Sequence, residues 1–265
     1  MLRLRRLSGR RSARHEEGAF VIDGPVLVRE ALAAGVTLEE VFATASADRS
    51  VLGEVAAAGV EIHEVTEAVL ARAVDTVTPN GMAAIAGRVE VSVDVATAAG
   101  AAGPLTLVLV DVADPGNAGT LLRAAEAAGA AAVLFCGSSV DPSNAKCVRA
   151  SAGALFHLPV ASGGHAVEVL EQLGRRGVAR FATVVEGGAP YHDTDLRGPA
   201  AIVLGSEAHG LPADVLALVD HLVTIPMAGR TESLNVAMAG SVLCFEAMRQ
   251  RRAARPPEPI GESTA

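Results

Sequence analysis

Residues 105–112, Leu-Thr-Leu-Val-Leu-Val-Asp-Val, form an almost unbroken apolar run that ends beside a carboxylate. A strand with one face in water alternates apolar and polar side chains. An apolar residue at nearly every position instead fits a strand covered on both faces, as in a parallel sheet flanked by helices. The run is followed by Pro-Gly, by a helical pattern from about Ala118 to Ala128, and by a second apolar run at 131–137, Ala-Ala-Val-Leu-Phe-Cys-Gly. Further runs occur at 181–185 (FATVV), 201–205 (AIVLG) and 221–226 (HLVTIP). Strands alternating with helices predict an α/β domain on a parallel sheet. A last amphipathic helix is expected from about Leu234 to Arg251.

Upstream, from Phe20 to about Thr97, short runs such as FVID, LEEVFAT and VEIHEVT alternate with helical patterns and predict a second, smaller α/β unit. Gly35 and Gly59 follow two of those helical patterns where a C′ glycine belongs. The stretch VATAAGAAGP, 95–104, then loses periodicity and charge. The expected organisation is a basic flexible arm at 1–15, a small domain at 16–97, a linker at 98–104, a larger domain at 105–252 and a disordered tail at 253–265. A chain of 265 residues is long enough for two cores.

The formal net charge of −8 counts against a phosphate-rich partner, because phosphate contacts need Lys or Arg. The distribution is uneven. Arg3, Arg5, Arg6, Arg10, Arg11 and Arg14 precede the first acid, Glu16, so the rest of the chain holds −14. A local basic arm can bind phosphate on an acidic body, or it can be a solvated leader. With no Trp and one Tyr, a stacking platform for single-stranded bases is disfavoured, although Phe20, Phe42 and Phe156 remain. Cys136, Cys147 and Cys244 have no paired spacing and no His at ligand spacing, which predicts inert thiols in a reducing cytoplasm and no metal site. No signal peptide and no membrane-spanning run is read, so a soluble, cytoplasmic chain is expected.

Three segments follow predicted strands and place polar groups at the carboxyl edge of the sheet, where open α/β folds bind ligands. In DVADPGNAGTLLRAAEAAG, 111–129, Asn117 is placed to cap the helix and Arg123 lies nearly two turns on, away from the apolar face of Leu121, Leu122, Ala125 and Ala128. In IVLGSEAHGLP, 202–212, Gly205 and Gly210 permit close backbone approach and Glu207 offers a carboxylate; no Lys-Ser or Lys-Thr follows, so a phosphate loop is excluded. In IPMAGRTESLNVAMAG, 225–240, Thr231 or Ser233 can begin the helix that carries Asn235. Each segment read alone is equally a capped helix start or a tight turn. Lys146, the only lysine, and Arg149 are candidates to face an anionic partner, or else a solvated helix face.

The order N-x-G-x-x-x-R, then G-x-E-x-x-G-L, then I-P-M followed by S-L-N-V, resembles the motifs of SpoU/TrmH-type RNA 2′-O-ribose methyltransferases of the SPOUT superfamily. KCVRASAGALFHLPV at 146–160, FVIDGPVLVREALAAG and TPNGMAAI at 78–85 extend the likeness to about residues 15–252. The resemblance implies a C-terminal SPOUT domain whose chain threads a deep trefoil knot, behind a small N-terminal α/β substrate-binding domain. It implies S-adenosyl-L-methionine as cofactor, held by Leu204, Gly205, Glu207, Gly210, Ile225, Met227, Ser233 and Leu234. Asn117, Arg123, Glu207, Ser233 and Asn235 fall on the family's catalytic positions, with Arg123, Lys146 and Arg149 towards RNA. Ala208 departs from the glycine that many members carry. Homodimers are the family's habit, no metal is implied, and the N-terminal domain favours rRNA over tRNA. A ribosome-assembly module without catalysis is the competing reading.

Overall fold

The computed structural model describes residues 1–74 and 80–254. In chain order the first elements are α1 (Leu2–Gly9), α2 (Arg11–Glu17), β1 (Ala19–Asp23), α3 (Pro25–Ala33), β2 (Leu38–Ala43), α4 (Arg49–Ala57), β3 (Glu61–Glu64), α5 (Glu67–Val74) and β4 (Met82–Gly87). Then come α6 (Val93–Ala102), β5 (Leu105–Val110), α7 (Pro115–Ala127), β6 (Ala132–Cys136), α8 (Ala145–Ser151), β7 (Val160–Gly164), α9 (Ala166–Arg175) and β8 (Ala179–Thr183). The chain continues through β9 (Ala189–Pro190), β10 (Ala200–Leu204), α10 (Ala213–Leu216), β11 (His221–Thr224) and α11 (Val236–Ala254).

β5 is buried at all six positions and β10 at all five, as continuous apolar runs require. They sit side by side in a sheet ordered β7-β6-β5-β10-β8-β11-β9, and every pairing in it is parallel. The loops after β5, β6 and β10 therefore leave one edge together. Leu121, Leu122, Ala118 and Ala125 of α7 and Leu243, Cys244 and Ala247 of α11 cover one face in a shared core. α6 and α9 cover the other through Ala96, Val169, Leu170 and Leu173. The smaller sheet, ordered β1-β4-β2-β3, is mixed: β4 runs antiparallel to β1 and β2, while β2 and β3 are parallel. Gly35 and Gly59 take φ of +72° and +74° after α3 and α4.

Two expectations about organisation need correction. The arm at 1–15 is helical: Leu4 and Leu7 of α1 are fully buried against the small sheet, and two buried leucines supply roughly 3–6 kcal/mol towards fixing a hairpin this short. The linker at 98–104 lies mostly inside α6, whose Ala96, Thr97 and Gly100 are buried; its lack of charge reflects contact with the sheet. Phe20 and Phe42 are core residues, 1% and 3% exposed, and form no stacking platform. β7 and β9 escaped the sequence reading because β7 carries Ser-Gly-Gly and β9 spans two residues. Most of the tail expected at 253–265, and part of 78–85, fall outside the described residues. Among the described residues no helix is long and apolar enough to cross a membrane, and no cluster of three metal-ligating side chains occurs.

Candidate active site

Asp114, not Asn117, caps α7. Its Oδ1 accepts the Asn117 backbone N–H across 2.8 Å, Pro115 follows as the first helical residue, and the bond holds the Asp114 carboxyl below the usual carboxylate range, with Lys146 Nζ at 3.4 Å adding to the effect. Capping by Asp114 leaves the Asn117 side chain free. Its Nδ2 donates to Oε1 of Glu207 across 2.7 Å, and its Oδ1 accepts from Nδ2 of Asn235 at 3.0 Å.

The direction of this chain is fixed at its far end. Asn235, rather than Thr231 or Ser233, caps α11: its Oδ1 accepts backbone N–H groups of Ala237 at 2.9 Å and Met238 at 3.3 Å. A backbone N–H only donates, so Asn235 must present its amide nitrogen to Asn117, and Asn117 its own to the carboxylate. One polar residue from each of the three segments thus joins a single relay, Asn235 to Asn117 to Glu207.

The second segment folds back on itself through reciprocal backbone bonds, Ser206 N–H to Gly210 at 3.1 Å and Gly210 N–H to Ser206 at 2.9 Å. Gly210 has φ +67°. A Cβ on Gly205 would stand 2.5 Å from the Gly210 carbonyl carbon, so the turn closes only around glycine. Between this turn and the third segment lies a cavity of about 590 Å³. Gly205, Glu207, Gly210, Ile225, Met227, Ser233, Leu234 and Asn235 line it, together with Val223 and Leu243. Apolar walls with a few convergent polar groups, at this volume, suit a medium-sized organic ligand. A cofactor with a flat heterocycle and a cationic centre fits: the walls are largely aliphatic, Gly205 and Gly210 put no side chain in the way, and Glu207 and Glu232 bring carboxylates.

The remaining expected residues stand elsewhere. Leu204 is fully buried beneath the cavity, packed under Gly240 of α11, because it is the last residue of a two-face-buried strand. Arg123 lies on the exposed face of α7, outside the cavity, and forms no ion pair or side-chain hydrogen bond among the described residues. Lys146 is exposed and reaches the first segment through Asp114. Arg149 faces the other domain: its Nη1 lies 3.5 Å from Oδ2 of Asp23, whose carboxyl burial pushes up while Arg149 pulls it down. The three cysteines are buried and their thiols pushed up to about 12, so they are inert. Sequence reasoning missed Thr183, Val184 and Val185, which line the cavity at the end of β8, and Ser206, Ala208, His209 and Glu232. The run FATVV, ending at the same sheet edge, was the available signal for the first three.

Strand-edge turns, a cofactor-sized cavity and a polar relay along its rim define a ligand-binding enzyme on a parallel sheet. Comparison with known proteins specifies it. The model of the SpoU rRNA methylase family matches residues 104–245, and that of the MRM3-like substrate binding domain matches residues 2–84. A tRNA/rRNA methyltransferase of Synechocystis sp., itself uncharacterised, is 35% identical over 92% of this chain and 89% of its own length. The 23S rRNA guanosine 2′-O-methyltransferase RlmP of Bacillus subtilis is 30% identical over 88% and 89%. Among solved structures, the SpoU methyltransferase AviRb of Streptomyces viridochromogenes superposes with a TM-score of 0.84 at 26% identity, covering 96% of this chain and 98% of its own. The AdoMet-bound rRNA methyltransferase of Sinorhizobium meliloti gives 0.83 at 29%, over 96% and 95%. The chain belongs to the SpoU rRNA methylase family. It is an RNA 2′-O-methyltransferase with S-adenosylmethionine as its methyl donor.

Proposed function

We propose that the chain methylates a ribose 2′-hydroxyl of rRNA at the cavity rim. The observation that carries the reading is the Asn235–Asn117–Glu207 relay, which ties three distant segments together at the mouth of a glycine-bounded cavity. When bound, S-adenosylmethionine supplies a methyl group made electrophilic by its sulfonium. Gly205, Gly210, Ile225, Met227 and Leu234 hold it, and Ser233 with Asn235 fix the third segment against it. Asn117 and Glu207 orient the first two segments, which keeps the acceptor hydroxyl in line with the methyl group. Arg123 grips the RNA phosphate and polarises the hydroxyl; the planar fork of a guanidinium suits a fixed anion. Lys146 faces the same RNA.

rRNA is favoured over tRNA because a second domain, matched by a substrate-binding domain model, precedes the methyltransferase domain, and because relatives matching both domains include one named for 23S rRNA. The reading extends to a homodimer in the cytoplasm and to a knotted chain. Met238, 62% exposed, and Phe245, 44% exposed, lie seven residues apart on α11 with Val242 between them, an apolar stripe suited to a second copy. The knot is supported by β10 lying between β5 and β8 while segments 205–212 and 225–235 fold against one cavity.

The test is methyl mapping of rRNA from a strain lacking the gene and from its parent. One 2′-O-methyl present in the parent, absent from the deletion strain and restored by the purified chain on unmodified rRNA is the expected result. A methyl appearing on a base, or on tRNA alone, would overturn the reading. Light scattering on the chain and on Phe245→Asp checks the dimer: a monomeric wild type removes it.

A further inference from the structure

The six arginines of the N-terminal hairpin divide into two sets. Arg3 is held by Glu17 at 2.7 Å, Glu39 at 2.5 Å and Glu40 at 2.8 Å, and Arg6 pairs with Glu17. Arg14, 5% exposed at its side chain, is bonded to Oδ2 of Asp141 through Nε at 2.7 Å and Nη2 at 2.6 Å, and its Nη1 donates to the carbonyl of Leu7 at 2.8 Å. Arg5, Arg10 and Arg11 are exposed and have neither an ion pair nor a side-chain hydrogen bond among the described residues. Arg10 occupies the extended joint between α1 and α2, with φ −120° and ψ 117°, and Arg11 is the first residue of α2. On a chain of net charge −8, three uncompensated guanidiniums within seven residues form a local positive surface.

That surface is anchored to the methyltransferase domain. Asp141 lies in the loop after β6, and β6 neighbours β5 in an all-parallel sheet, so this loop leaves the edge that carries the active site. The same loop touches the first catalytic segment directly: Val140 N–H donates to the Val112 carbonyl at 2.9 Å, and Val112 N–H to Oγ of Ser139 at 3.1 Å. Lys146, at the start of the following helix, reaches Asp114. The buried Arg14–Asp141 pair therefore holds the hairpin against the loop that borders the reaction site.

We propose that Arg5, Arg10 and Arg11 grip the phosphate backbone of the RNA substrate, on a rigid hairpin that extends the substrate track from Lys146 onto the N-terminal domain. The inference rests on the rRNA reading above and adds to it the residues outside the methyltransferase domain that bear the RNA. Guanidiniums suit the task because each offers forked donors to phosphate oxygens. Contacts of this kind position the RNA and carry no base preference.

The experiment replaces all three by glutamine, R5Q/R10Q/R11Q. Affinity for unmodified, in vitro transcribed 23S rRNA is then measured by filter binding from low to moderate salt, beside steady-state methyl transfer. Three lost phosphate contacts should lower the slope of log affinity against log salt by about 2 to 3 and weaken binding on the order of ten-fold or more. The loss should fall on KM for RNA rather than on kcat, with S-adenosylmethionine affinity unchanged. A charge-matched control, R175Q/R176Q/R252Q, removes three positive charges elsewhere and should leave the slope near that of the wild type. Wild-type binding and slope in R5Q/R10Q/R11Q, an equal loss in the control, or no RNA binding by the wild type would each overturn the inference. A wild type that binds rRNA with this salt dependence but transfers no methyl group would instead sink the catalytic reading and leave the binding result standing.

Discussion

Nδ2 of Asn117 donates to Oε1 of Glu207 across 2.7 Å, joining residues ninety positions apart at the rim of the cofactor cavity. Oδ1 of the same amide accepts from Asn235, so Asn117 is the only member of the relay that bonds both others. Asn117→Asp keeps the shape and replaces the donor with a carboxylate facing Glu207. A hydrogen bond to a charged group contributes about 1.5–3 kcal/mol, so turnover should fall roughly ten- to a hundred-fold. Steady-state methyl transfer, with a thermal melt to show that the fold persists, checks this. Activity within two-fold of wild type would mean that the relay does not matter to the reaction.

Arg123→Lys keeps the charge of Arg123 but loses the planar fork. If the guanidinium holds the RNA phosphate in a fixed orientation, turnover should drop about a hundred-fold while calorimetric binding of S-adenosylmethionine is retained, since Arg123 lies outside the cavity. Near-normal methylation by this variant would remove Arg123 from the mechanism.

Asp114 makes the start of α7 sensitive to acid. Its carboxyl is held below the usual range, chiefly by the Asn117 backbone N–H, so the stabilisation is complete above the unfolded value near 4 and fades as pH falls through the lower folded value. Asp114→Ala should lose about 1 kcal/mol at pH 7, and its gap to wild type should narrow below about pH 4. Asp114→Asn, which still caps, should remain close to wild type at pH 7. Urea melts at pH 7 and pH 3 make the comparison, and a gap independent of pH would rule out the ionised cap.

The sheet and its loops were legible in the sequence because apolar runs buried on both faces leave no alternative reading, as at β5 and β10. Their convergence was legible only as three polar residues at strand ends. Which residue caps which helix was not: Asp114 and Asn117 are both good caps three positions apart, and the choice depends on Glu207 and Asn235 claiming the Asn117 side chain from far along the chain. The hairpin was misread for a related reason. A string of arginines looks solvated until Glu17, Glu39, Glu40 and Asp141 are brought beside it by the fold. Arg149 reads in the sequence as a candidate to face RNA or as part of a solvated helix face, because its partner, Asp23, lies 126 positions earlier in the other domain.

The Arg14–Asp141 pair, with both side chains 5% exposed, predicts a strong asymmetry between single and double substitution. Arg14→Met leaves a buried carboxylate without its partner and should destabilise the fold by about 3–5 kcal/mol. Arg14→Met with Asp141→Leu removes both charges and should recover most of that loss. Equilibrium denaturation of the two single variants and the double variant gives the coupling directly. Additive effects would mean that the pair does not couple the hairpin to the β6 loop.

Gly205 offers the most selective test of the cofactor cavity. A methyl group there would stand 2.5 Å from the Gly210 carbonyl carbon and 2.8 Å from the Leu211 amide nitrogen, both backbone atoms that cannot rotate away. Gly205→Ala must therefore open the Ser206–Gly210 turn, whose two backbone bonds shape one wall of the cavity. Gly205 is itself buried at the end of β10, but Ser206 is half-buried and 207–210 are exposed, so the strain is relieved outward through the turn and the core is kept. S-adenosylmethionine affinity should fall at least ten-fold, corresponding to about 1.4 kcal/mol of overpacking strain, while the thermal midpoint moves by only a few degrees. Gly210→Ala makes the informative contrast. A Cβ there meets no atom within 4 Å, so its penalty comes only from the left-handed φ of +67° and should be smaller. If the two variants bind S-adenosylmethionine equally well, the close approach at Gly205 is not what shapes the site.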